Sequence, residues 1–158
     1  MKKTILLLLA SIIFTSTACA TGNSSINKTA KGELSVKLKI QITNDKSESH
    51  GLTATLYDNS SARALVELLQ KGNVTLGMRD YSNFEKVGDL PVSLPRNDAP
   101  TDTDAGDLIL YLGKSFAIYY DKNNWNFTPL GKVDGVNKAE LKKILGNGNV
   151  TAVLSITE

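Results

Sequence analysis

From Leu34 to Ile42 apolar and polar residues alternate without a fault. Leu34, Val36, Leu38, Ile40 and Ile42 fall on one face, and Ser35, Lys37, Lys39 and Gln41 on the other. A strict period of two marks a half-buried antiparallel strand. After the polar turn "NDKSESHG" the alternation resumes at Leu52, Ala54 and Leu56, so the two runs form a hairpin. At Asp58 the period becomes helical. Asp58, Asn59 or Ser60 supplies the cap, Ala62, Leu65, Val66 and Leu69 form the buried stripe, and Gly72 takes the left-handed position at the end. Val74, Leu76 and Met78 then point inward from another strand.

Arg79 to Pro100, broken by Pro91, Pro95 and Pro100, is expected to be irregular. "DLILYLGKSFAIYY" reads as two strands joined tightly at Gly113-Lys114. A second turn at Asp121–Asn124 leads into "WNFTPLGKV", a strand in which Pro129 implies an edge or a bulge. Asn137 and Glu140 have capping-box spacing and begin a short helix, which Gly146-Asn147-Gly148 stops. Val150, Ala152, Leu154 and Ile156 close the chain with a last alternating strand. Many short strands with two short helices predict a barrel or a sandwich, and pairing the first and last strands would close the sheet.

The first twenty residues do not belong to this pattern. Lys2 and Lys3 precede an apolar run from Ile5 to Phe14, followed by small residues, which is the layout of an export signal of bacterial type. The run is shorter than the roughly 20 residues a membrane-spanning helix needs. Ser16-Thr17-Ala18-Cys19 resembles a lipobox, in which Cys19 would carry the lipid; the alternative is an ordinary small-x-small cut after Ala20. The expected division is a signal over 1–19, a Ser/Thr/Asn-rich tether over 20–32 and one domain over 33–158. Export leads to the cell envelope, anchored through Cys19, or otherwise to the periplasm or the medium.

Charge and cysteine count narrow the classes further. Losing the signal leaves 16 basic residues against 16 acidic ones, which argues against a nucleic-acid partner and against membrane contact other than through the lipid. Cys19 is the single cysteine, so a disulfide within the domain is excluded.

Three stretches, taken in order, carry a family resemblance: "LTATLYDNSSARALVELL", "RDYSNFEKVGDLP", and "GDLILYLGKSFAIYYDK" running on to "LGKV". Together they resemble the small bacterial cyclophilin-like family over nearly the whole domain. The resemblance implies a mainly β fold, a closed antiparallel cyclophilin-like β-barrel with two short helices. Cyclophilins that isomerise prolyl bonds carry an arginine on a barrel strand, in a Phe-His-Arg context beside an aromatic-lined pocket. No arginine here follows a Phe-His pair, and the lone His50 falls in the first turn, so no catalytic residue is carried over.

Candidate chemistry gathers in four places. Phe116, Tyr119, Tyr120, Trp125 and Phe127 surround a turn; adjacent Tyr119 and Tyr120 point to opposite faces and cannot both be core, and Trp125 between two asparagines is expected at a rim. Arg63, Arg79, Asp80, Tyr81 and Glu85 form a second group, in which an arginine fork can hold a carboxylate or a carbonyl, or simply an ion pair such as Arg63 with Glu67. Asp98, Asp102, Asp104 and Asp107 have the alternation of a calcium loop without its distal acid, and read as a solvated acidic turn. His50 has no second histidine or thiol to build a triad or a zinc site with. No catalytic residue, metal or cofactor is therefore assigned.

The expectation is a binding domain that takes a small molecule or an extended peptide at the barrel end, near Arg63, Tyr81, Tyr119 and Trp125. The alternative is a divergent peptidyl-prolyl cis-trans isomerase acting on envelope proteins, with Arg63 or Arg79 as the donor to the twisted bond. A protein partner in the envelope is a third class.

Overall fold

The computed structural model describes residues 32–157; the expected export signal, Cys19 and the expected tether up to residue 31 lie outside the described residues. Nine strands and two helices follow in the order β1 (Glu33–Thr43), β2 (Ser49–Tyr57), α1 (Ser60–Gln70), β3 (Val74–Tyr81), β4 (Glu85–Asp89), β5 (Ala99–Thr103), β6 (Asp107–Tyr111), β7 (Ser115–Tyr119), β8 (Asn123–Val133), α2 (Lys138–Leu145) and β9 (Val150–Thr157). The sheet runs β2-β1-β9-β3-β4-β7-β6-β8-β5, and a further β2–β8 pairing closes eight of the strands into an antiparallel barrel. β5 lies outside the ring, paired to β8 alone.

The alternating strands bury what their sequence says they should. Leu34, Leu38, Ile40 and Ile42 of β1, Leu76 and Met78 of β3, Phe116 and Ile118 of β7, and Ala152 and Leu154 of β9 fill one interior cluster. The first and last strands do pair, from Lys37↔Thr157 to Thr43↔Thr151.

A closed wall can be entered only at its ends, and that is where the helices add to the core. α1 joins the end of β2 to the start of β3 and contributes Ala62, Leu65, Val66 and Leu69 at one end. α2 joins β8 to β9 and contributes Leu141 and Leu145 at the other. Asn59 is the N-cap of α1, its side chain accepting from the Ala62 amide. Asn137 and Glu140 make the full capping box of α2. Gly72 follows α1 with φ 149°, a glycine conformation different from the left-handed helical one expected there.

Three sequence expectations need correction. Arg79–Pro100 is not irregular throughout: β3 continues to Tyr81, β4 occupies Glu85–Asp89, and β5 begins at Ala99. β4 reads poorly as a strand because the side chain it turns into the barrel is Lys86, which is fully buried. Tyr119 and Tyr120 do point to opposite faces, yet both are buried. Tyr120 joins the barrel interior, and Tyr119 joins a second apolar cluster on the outer wall with Val87, Ile109, Ala117 and Phe127. The third concerns the hairpin turn, which is centred on Leu112-Gly113, at φ 50° and 74°, rather than on Gly113-Lys114.

β8 makes the second apolar face possible. The residues from Thr128 onward pair with β6 in the wall, whereas Asn123–Phe127 pair with β5. The register slips at Pro129, which sits opposite Ile109 while Gly131 sits opposite Leu108, so the proline marks a bulge in β8. The β5–β8 arm carries Phe127 onto the outer wall and Trp125 to its edge.

Candidate functional site

On the outer wall the ladder registers set the side chains in rows. Tyr81 is opposite Glu85, and Glu85 is opposite Tyr119, so β3, β4 and β7 present Tyr–Glu–Tyr across the wall. One step along, Arg79 is opposite Val87 and Val87 is opposite Ala117. Outward residues therefore build an amphipathic surface while Leu76, Met78, Phe116 and Ile118 hold the interior. The tight turn from Tyr81 to Phe84 passes through Ser82 and Asn83 at φ 49° and 59°, and the Asp80 carboxylate accepts from the Asn83 amide. That turn swings Phe84 over the wall, where its ring stacks on Tyr119 at 5.9 Å and meets Tyr81 edge-on at 5.8 Å.

These rows line a cleft of about 380 Å³, within the range of small-ligand sites. Val87, Ala117, Tyr119 and Phe127 make an apolar floor, and Tyr81, Leu112 and Trp125 stand exposed around it. Trp125 is 61% exposed, the most of any large apolar side chain among the described residues. Arg79 lines the same cleft.

Glu85 is the buried carboxyl of the cleft, with 9% of its surface exposed. Burial pushes its carboxyl above the ordinary value, against the hydrogen bond from Tyr119 and the charge of Arg79, which pull it down. Tyr119 responds in the same sense. Burial and the Glu85 carboxylate raise its hydroxyl far above the ordinary tyrosine range, and the Asn123 amide donates to that hydroxyl at 3.4 Å. Glu85, Tyr119 and Asn123 thus form a short polar chain in an aromatic setting, with the Arg79 guanidinium one row away. Such a cleft can hold an apolar or aromatic group on its floor and hydrogen-bond a polar group at Glu85 or Arg79.

Of the residues singled out from the sequence, Tyr81, Tyr119 and Trp125 come together in this cleft. It lies along the barrel's outer wall rather than over its end. Arg63 does not join them: it sits on α1, forks onto Asp58, and lies at the end of the barrel opposite the Tyr81–Glu85–Tyr119 row. The four aspartates do not converge. Asp98 pairs with Arg96 and Thr128, Asp102 with Asn124, and Asp107 with Lys132. Among the described residues no group of three or more acidic, histidine or cysteine side chains is placed to hold a metal. His50 stands on β2 opposite Ile42.

Phe84, Val87, Tyr111 and Asn123 also line the cleft without having been singled out. Treating Glu85–Asp89 as a strand would have found Val87 at once, since it stands in register with Arg79.

No curated protein matches this chain. The model of the Cyclophilin-like family matches residues 46–155, from the first hairpin to the last strand, and the chain belongs to that family.

Proposed function

We propose that this protein is a binding domain, exported and held at the cell envelope by lipid on Cys19, which takes an extended peptide or a small molecule in the outer-wall cleft. The observation that carries the reading is the meeting of exposed Trp125 and Tyr81 with a buried carboxyl and an apolar floor in one cleft. Exposed aromatic rings around a fixed polar group are the usual makings of a recognition site. The Lys2–Cys19 pattern supports the address.

The test is a two-dimensional NMR titration of the isotope-labelled chain from Thr21 onward with an Ala-Ala-Pro-Phe peptide. Shifts centred on the Trp125 indole are the expected result. An undisturbed cleft with peptides and small aromatic ligands alike would remove the reading. Replacing Cys19 by Ala should release the protein from the membrane fraction of a bacterial host.

A second reading, a divergent prolyl isomerase, is favoured by one observation: Arg79 stands on a barrel strand beside the aromatic cleft. A guanidinium there can donate toward the nitrogen of a twisted prolyl bond, whose uncatalysed barrier is about 18–20 kcal/mol. Faster cis-trans exchange of the same peptide, lost in Arg79→Ala, would establish this reading in place of the first. Arg63 has no part in it, being committed to Asp58.

A further inference from the structure

We propose that the cleft selects a basic side chain, the lysine or arginine of an extended peptide, seated with its charge against Glu85 and its stem between the flanking rings. The proposal rests on the reading of the cleft as a binding site and names the chemistry of what enters it.

The first argument is the setting of Glu85. Carboxylates this deeply buried are ordinarily paired with a cation. Here the groups acting on it are the Tyr119 hydroxyl, set beside it in register, and Arg79, whose charge is felt from the neighbouring row. Arg79 stands opposite Val87, not Glu85, and makes no ion pair among the described residues. An ionised carboxylate accepts about four hydrogen bonds, so Glu85 has capacity for a donor arriving through the cleft.

The second argument is the company it keeps. Tyr81 and Tyr119 flank Glu85 in register, Phe84 stacks on Tyr119, and Trp125 stands at the edge. Aromatic faces attract organic cations, Trp and Tyr most of all, and the attraction grows as water is excluded. The Val87, Ala117 and Phe127 floor matches the methylene stem of a lysine, which buries its carbons while its charge seeks a polar group. A neutral aromatic ligand would use the rings and leave the carboxylate desolvated without compensation.

The third argument concerns the rest of the ligand. β5 pairs with β8 alone, and its Thr101 is the register partner of Trp125. The other edge of β5 carries no strand among the described residues, so backbone donors and acceptors are presented beside the cleft. An extended chain can pair along such an edge while one side chain reaches inward. Arg79, with its guanidinium uncommitted, can take a carbonyl of the same chain.

The experiment compares acetyl-Ala-Lys-Pro-Phe-amide with its glutamine counterpart at pH 7, titrated into the wild type and into Glu85→Gln and followed through the Trp125 indole signal. The wild type is expected to bind the lysine peptide tenfold or more tightly than the glutamine peptide, and Glu85→Gln to bring the two dissociation constants together. Equal affinities in the wild type, or a preference that survives Glu85→Gln, would overturn this inference while leaving the cleft a binding site. The wild-type comparison decides the charge question without any variant. Failure of both peptides to shift Trp125 would overturn the inference and the binding reading together.

Discussion

The Lys86 ammonium lies 2.7 Å from an Asp80 carboxylate oxygen, across the β3–β4 ladder and inside the barrel wall. Lys86 also donates to the Gly148 carbonyl at 2.6 Å, and the Tyr120 hydroxyl donates to the same Asp80 oxygen at 2.6 Å. All the charge-bearing partners are satisfied, which is the condition for keeping an ion pair in a core. The network ties β3, β4, the residue following β7 and the segment before β9 together at the end capped by α2.

Removing one partner should therefore be costly. Lys86→Met is expected to destabilise the barrel by about 3–5 kcal/mol in chemical denaturation at pH 7. The pair also has a pH signature. Burial raises the Asp80 carboxyl, but hydrogen bonds from Lys86 and Tyr120 outweigh it and leave it below its ordinary value. A lowered carboxyl contributes stability that is complete above its unfolded value, about 3.9, and lost as pH falls through the folded one. The wild type should lose this increment below about pH 4, and Lys86→Met should lose less over the same interval.

Glu85 behaves in the opposite sense. Its carboxyl is raised, chiefly by burial, so the fold disfavours its ionised form. The stability it contributes is complete below the unfolded value, about 4.3, and is lost as pH rises through the folded one. Glu85→Gln is accordingly expected to be more stable than the wild type at pH 7, on the order of 1 kcal/mol. The gap should close below about pH 4. Thermal melts at both pH values check it, and a variant less stable at pH 7 would contradict this account of the carboxyl. A site that costs stability at neutral pH is what a binding carboxylate would produce.

Barrel closure depends on a close approach at Gly131. A Cβ there would run into the Thr55 carbonyl oxygen and stand 3.0 Å from the Leu56 Cα, where β8 pairs with β2. Gly131→Ala is expected to cost about 2–3 kcal/mol and to open the β2–β8 seam first, seen as faster amide exchange at Ala54 and Leu56. Gly77→Ala is the control. Its Cβ would meet nothing within 4 Å, so its stability should stay within about 0.5 kcal/mol of the wild type.

Legibility followed side-chain polarity. β1 and β9 declare themselves because each faces apolar core on one side and water on the other. Both helix caps were readable because capping is local chemistry between residues a turn apart. β4 was not readable: Lys86 enters the core only because Asp80, its register partner across the hairpin, meets it there together with Tyr120 and Gly148, which are distant in sequence. Losing β4 lost the row Tyr81–Glu85–Tyr119, since register across strands is what sets those three side by side. Tyr81, Tyr119 and Trp125 could be picked out as aromatics near turns. Arg63 looked equivalent from the sequence, and only the three-dimensional position of Asp58 separates it from Arg79.

Two aromatic residues on one arm separate recognition from stability. Phe127 and Trp125 are two residues apart on β8, and the bulge at Pro129 directs Phe127 into the outer-wall cluster while Trp125 stays largely exposed. Phe127 lies close to Tyr119 and Tyr111, with ring centroids 5.6 and 6.1 Å away. Phe127→Ala should cost about 3–5 kcal/mol, because a buried ring leaves a cavity. Trp125→Ala should change stability by no more than about 0.5 kcal/mol, since little of the indole leaves water on folding. Binding should follow the reverse order in kind: Trp125→Ala, still fully folded by its two-dimensional spectrum, should weaken the lysine peptide by tenfold or more. Trp125 is the single tryptophan, so quenching or a blue shift of intrinsic emission on peptide addition reports the same contact in the wild type. A folded Trp125→Ala that bound the peptide as well as the wild type would put recognition elsewhere on the barrel.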